Sequence, residues 1–225
     1  MKSLLLFFSL IALPSTSRAG LLFEPYGGYS WGSESVQYSD TYSVTALQGT
    51  TAGASVNGSV YGGRAGFLLH GFVILAAEYQ AISGKENFTT PATNTNINTW
   101  TQKTWFGTFG FQCPNGFRLL ASYGWDFEAT ETSSGAQPLT YKGTAQKFGV
   151  GWVLPLNLAI NVEYAIYKPT QYTQNAITSP LTNSYSAYNY SAVIGTLSIP
   201  IDLFGGDNSR GSTNRHSSGG GGHRN

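Results

Sequence analysis

Residues 117–127 read FRLLASYGWDF and alternate strictly between two unlike faces. Phe117, Leu119, Ala121, Tyr123, Trp125 and Phe127 share one side; Arg118, Leu120, Ser122, Gly124 and Asp126 share the other. Period-two alternation of this length predicts a strand about long enough to cross a bilayer at a tilt. The pattern recurs along the chain. Residues 21–31 predict a first strand, 59–69 a second, and 72–83 a third after a tight turn at His70 and Gly71. A fourth runs over about 99–113 and ends in Pro114-Asn115-Gly116, whose Asn-Gly pair is a strong hairpin signal. The opening stretch is the fifth strand. The sixth, ending at Leu154, sets Phe148, Val150 and Trp152 against Lys147, Gly149 and Gly151; residues 155–157 turn the chain into a seventh at 158–167. An eighth covers about 185–204, with faces that do not separate cleanly and a register left open.

Between these strands, long polar connections at 32–58, 84–98, 128–140 and 168–184 alternate with three short turns. Eight strands joined long, short, long, short predict an all-β, up-and-down antiparallel chain with all its long loops at one end. Composition decides what surrounds it. Charged residues are 10% of the chain and aromatics 14%, with 28 glycines, whereas a soluble domain carries about 25% charged residues. Much of this surface is not made for water. No stretch beyond the first residues approaches the ~18 apolar residues of a membrane helix, so the lipid-facing solution left is a closed barrel with every backbone polar group paired.

The start of the chain adds a compartment. Lys2, an apolar run at 4–13, Pro14 and the small-x-small Ser17-Arg18-Ala19 predict a secretory signal peptide over 1–19, followed by a barrel over 20–204. Residues 205–225, rich in Gly, Ser, Arg and His, hold nothing to bury and predict a disordered tail. A single cysteine, Cys113, rules out an internal disulfide in an exported chain. Residues 20–204 hold seven Lys or Arg against ten Asp or Glu, so no basic stripe for nucleic acid is present.

The Glu-Pro-Tyr-Gly-Gly-Tyr run at 24–29, the Tyr-Gly-Gly-Arg-Ala-Gly run at 61–66 and the aromatic-ended hairpins resemble the small eight-stranded outer-membrane β-barrel proteins of the OmpA-barrel and OmpX type. That resemblance implies a closed transmembrane barrel in a Gram-negative outer membrane, with short periplasmic turns, long extracellular loops and both termini in the periplasm. Its implied partners are lipopolysaccharide and the barrel-assembly machinery, with an assembly signal expected at 199–204. A soluble lipocalin-like barrel is the rival. Its apolar face would point inward, and the bulky set from Trp31 to Tyr164 would overfill an eight-stranded interior.

With the aromatic face outward, Tyr29, Trp31, Tyr79, Trp105, Trp125, Trp152 and Tyr164 become the expected interfacial girdles. The opposite face then puts Glu24, Arg64, Glu78, Arg118, Asp126, Lys147 and Glu163 into the lumen. Buried charges must be paired, so a connected ionic network is expected, nucleated by Glu24, Arg64 and Glu78. Such a network serves either as barrel filling or as a gate for a narrow pore. The filled reading makes the protein a structural or surface-interaction barrel that meets an extracellular ligand through loops 32–58, 84–98, 128–140 and 168–184. No catalytic residues, metal ligands or cofactor follow from the residues. A lipid-modifying enzyme would need a nucleophile beside a base near the outer rim, and His70 sits in a turn at the other end. Glu128 and Glu131 read as solvated loop carboxylates, and His216 and His223 as solvated tail residues.

Overall fold

A computed structural model describes residues 19–40, 45–90, 97–135 and 137–203. Residues 1–18 of the expected signal peptide over 1–19, Phe204 and the expected tail over 205–225 lie outside the described residues. The chain forms β1 (Ala19–Tyr38), β2 (Thr51–Leu69), β3 (Val73–Thr90), β4 (Ile97–Gln112), β5 (Phe117–Thr132), β6 (Leu139–Leu154), β7 (Leu158–Gln174), β8 (Ile177–Pro180), β9 (Tyr185–Ser198) and β10 (Ile201–Asp202). Consecutive strands from β1 to β7 pair antiparallel. β9 pairs with β7 on one side and β1 on the other, which closes an eight-stranded ring without free edges. β8 is a short hairpin arm on the end of β7.

Three tight turns have two left-handed or near-left-handed residues in succession, the geometry that matches strand twist. His70 and Gly71 turn β2 into β3 at φ 52° and 74°, Leu156 and Asn157 turn β6 into β7 at 74° and 56°, and Asn175 and Ala176 begin the β8 arm at 51° and 63°. The eighth wall position is shared by β9 and β10. Pro200 between them has no N–H to donate, so the ladder breaks there and resumes with Phe23↔Ile201.

Strands run well into the stretches expected to be loops: β1 reaches Tyr38, β2 starts at Thr51, β3 reaches Thr90 and β7 reaches Gln174. The cause is an inversion of polarity part-way up the wall. In the half nearest the short turns, Phe67, Phe109, Leu119, Phe148 and Val162 face outward and Glu24, Arg64 and Glu78 face inward. Beyond Trp31, Tyr61, Trp105 and Trp125, the outward positions become Ser33, Ser59, Lys103 and Thr130, while Val56, Ile82, Trp100, Ala129 and Tyr141 are buried inside. The outer half is therefore built like a water-soluble barrel. Its polar surface reads as loop in the sequence, but its apolar interior favours strand.

One register shift changes a prediction made above. Trp105 pairs with Asp126 and Phe106 with Gly124, so Trp125 is an extra residue bulged out of β5. A single inserted residue exchanges the faces of everything after it. Asp126 is consequently exposed on the outer wall and Phe127, at 1% exposure, is buried in the lumen.

Candidate functional site

The interior is stacked in layers. Nearest the short turns, Leu22, Leu68, Ile74 and Leu120 make an apolar floor. Against and above it lie six of the seven expected lumen charges, Arg118 standing two residues nearer the turn than Leu120. Cross-strand register explains the nucleus, since Glu24 stands opposite Arg64 on β2 and Arg64 opposite Glu78 on β3. Arg64 donates through Nε to Glu78 Oε2 at 2.9 Å and through Nη2 to Glu163, and its Nη1 lies 3.7 Å from Glu24. Arg118 Nη1 donates to Glu24 at 2.8 Å and its Nε to Gln112 at 2.7 Å. Lys147 bridges Glu78 and Glu163, the latter at 2.9 Å.

Neutral groups complete the shell. Tyr26 donates its hydroxyl to Glu78 at 2.7 Å and Thr108 does so at 2.9 Å. The Arg64 guanidinium lies 5.2 Å from the Tyr26 ring centre, and the Lys147 ammonium lies 4.6 Å from that of Phe106. Room for Glu163 comes from Gly149 opposite it, where a Cβ would fall 2.5 Å from the Glu163 side chain. Three cations face three carboxylates, so the layer is neutral. The seventh expected member, Asp126, is on the outside because of the bulge and takes no part.

Above the ions sits an aromatic plug that the sequence pattern did not reveal. Trp100, fully buried, packs 5.4 Å from Tyr190 and 6.2 Å from Tyr141; Tyr190 stacks on Tyr167 at 4.6 Å, and Phe127 lies 5.1 Å from Tyr167. The available signal was the hydrophobic parity of β4 and β6, which changes face between the two halves. Gln102 accepts from Tyr190 at 3.1 Å. Leu181, on the short turn after β8, packs on this core near the mouth.

A second acidic group lies in the outer half. Asn98 on β4 donates its amide to Glu86 at 3.0 Å and to Glu131, and Glu34 on β1 faces the same group. Glu131, expected to be solvated, is thus partly buried and bonded, whereas Glu128 is exposed and pairs with Lys142 at 3.0 Å. Burial is the main cause that pushes Glu34 and Glu86 up to about 7 and Glu131 up to about 8, with negative neighbours adding to it.

The expected girdle residues all lie on the outer wall, Trp31 and Trp125 at 55% exposure and Tyr79 half-buried. Tyr29 packs 5.0 Å from Trp31, and Tyr79 5.0 Å from Trp105. Trp152 marks the opposite rim, 6.2 Å from Phe117. Shallow grooves open on the outer wall. One of about 620 Å³ lies over Ala121 between Phe109 and Phe148.

No family model matches the chain, and no curated protein matches it. Among solved structures it is similar to Ail, the attachment invasion locus protein of Yersinia pestis, in complex with the heparin analogue sucrose octasulfate. That match has a TM-score of 0.52 and 10% identity over 81% of this chain and 99% of that one. A second Ail structure matches with a TM-score of 0.49 at 11% identity over 81% and 99%. The outer membrane protease OmpT from Escherichia coli matches with 0.35 at 10% over 84% and 99%. Identity this low speaks to architecture alone, and with the closed ring and its apolar belt it establishes that the chain has the fold of the small eight-stranded outer-membrane β-barrels.

Proposed function

We propose that the protein is an integral outer-membrane barrel with a sealed lumen, acting as a structural or surface-interaction protein through its projecting outer half. The observation that carries this reading is the filling of the interior. A neutral layer of three cations and three carboxylates lies between an apolar floor and an aromatic plug, and an eight-stranded ring leaves little room for water besides. A channel for solutes would need a continuous wet path, so the pore reading is the weaker one. Among the described residues the one histidine, His70, lies in a short turn at the other end from the outer rim, which supports a non-enzymatic role.

In this reading the short turns and both termini face the periplasm and the polar half faces outward. Lys103 and Lys168 are the first exposed residues beyond the apolar belt on β4 and β7, with Lys85 and Lys142 further out. Lys103 and Lys168 at that height, with Lys85 beyond them, suit the anionic headgroups of lipopolysaccharide. The Ser-, Thr- and Asn-rich rim offers adaptable hydrogen bonding to an extracellular partner. Recording across planar bilayers tests the seal: no conductance steps are expected, and steps that vanish in Arg64→Ala would overturn it. An impermeant maleimide on intact cells tests the orientation. It should label Thr130→Cys and leave the exposed native Cys113, at the other end, unlabelled; the reverse pattern would refute the placement.

A further inference from the structure

We propose that Glu34, Glu86 and Glu131, joined through Asn98, form a proton-held clasp that keeps the outer half of the barrel closed and loosens it as the medium turns alkaline. The three carboxyls come from β1, β3 and β5 and meet inside the ring, with β4 contributing Asn98 between them. Glu86 is hydrogen-bonded to both Glu34 and Glu131. Two carboxylates have no hydrogen to share, so each such contact requires a proton.

Among the described residues the surroundings offer no counter-charge. Tyr141 on β6 and Tyr188 on β9 face the group, and Tyr185 and Tyr190 lie next to them. β2 presents Ala52, Ala54 and Val56, and β7 presents Tyr167 further in. Among the described residues no Lys or Arg side chain is buried in this half; Lys147, in the ionic layer, is engaged by Glu78 and Glu163 and sits over the Phe106 ring. Lys85, Lys103 and Lys142 point outward.

A second observation is independent of the carboxyl cluster's charge. Asn98 is 3% exposed and its amide nitrogen is aimed into the group, yet its Oδ1 finds no donor, and neither does Glu34 Oε2. Tyr141 donates its hydroxyl to Glu131 at 3.4 Å and Tyr188 donates to Glu34, but neither bridges one carboxyl to another, so the carboxyl–carboxyl contacts take up exchangeable protons.

The direction of the pH effect follows. In the closed barrel Glu34 and Glu86 hold their protons to about 7 and Glu131 to about 8; an opened, hydrated cluster would release them near the ordinary carboxyl value of 4.5. The cluster's stabilisation of the closed form is thus complete below 4.5 and is lost as pH rises through about 7 to 8, where the closed form would trap up to three unneutralised carboxylates.

Amide hydrogen exchange on the full barrel in vesicles tests this, with rates corrected for base catalysis. From about pH 6 to about pH 8.5, protection of segments 81–88, 97–102 and 127–132 should fall at least about tenfold, while segment 105–111 in the apolar belt stays unchanged. In Glu34→Gln/Glu86→Gln/Glu131→Gln the fall should disappear. Should the triple variant not fold, Glu131→Gln, altered at the partly exposed member, should give a shallower pH dependence. Flat protection in the native barrel, or variants as pH-sensitive as the native chain, would overturn the clasp.

Discussion

Replacing Arg64 by Met removes one guanidinium and keeps most of its volume. In the native lumen that group contacts Glu78 at 2.9 Å, reaches Glu163 and lies 3.7 Å from Glu24, all at about 1% exposure. Its loss leaves three carboxylates against Arg118 and Lys147, so one negative charge is buried without a partner between an apolar floor and an aromatic plug. Breaking a buried pair in this way costs about 3–5 kcal/mol, more than the pair itself contributes relative to apolar residues. The double variant Arg64→Met/Glu163→Gln restores neutrality and should recover about 2 kcal/mol of that loss, since the two sites belong to one network. Urea unfolding in vesicles, followed by intrinsic fluorescence, measures both through the shift of the midpoint at constant slope. A single-variant loss under about 1 kcal/mol, or a double variant whose loss equals the sum of the two singles, would refute the reasoning. It would mean that water screens the lumen charges and that the seal is not one coupled unit.

The bulge in β5 makes a paired prediction: Phe127→Ala should cost about 3–5 kcal/mol as a large buried ring is lost, while Asp126→Asn stays within about 0.5 kcal/mol, both by the same unfolding measurement. The height of the apolar belt is tested by Leu119→Arg, expected to cost about 2–4 kcal/mol on the lipid face, against Thr130→Arg on the outer half, expected near zero. Heat-modifiable migration of the barrel from a membrane fraction should persist in Thr130→Arg, and recovery of the native protein in the soluble fraction would count against a membrane barrel altogether.

Much of the membrane half was legible because tight turns pin register. The three-residue turn of His70, Gly71 and Phe72 places Arg64 opposite Glu78, and strict alternation around it shows which face each occupies. Glu24, Arg118, Lys147 and Glu163 followed from the same parity. Asp126 and Phe127 did not, because an extra residue in a strand has no compositional mark: FRLLASYGWDF alternates as well through the bulge as without it. The outer half was hidden for a different reason. Its outward Ser, Thr and Asn residues have the composition of loops, and Trp100 or Tyr141 among them reads as an isolated aromatic until pairing puts both inside. The Glu34, Glu86 and Glu131 group was out of reach because β1, β3 and β5 are not neighbours in the sheet, and only the curvature of a closed ring brings their side chains together.

The inversion of polarity along the wall also acts as a gauge of membrane thickness. On β5 the outward apolar run from Phe117 to Trp125 rises roughly 26 Å along the strand, which at a tilt of about 40° is roughly 20 Å along the bilayer normal, or about 25 Å with the rings at each end. Trp105 and Lys103 stand two residues apart on β4 and Trp125 and Asp126 are adjacent on β5, so the wall passes from lipid-compatible to water-compatible with almost no margin. A thicker bilayer would have to thin around the protein to match it, at a cost that grows with each ångström of mismatch. The barrel is thus cut to a thin membrane, and its seating depth is set by the wall itself and not by its loops.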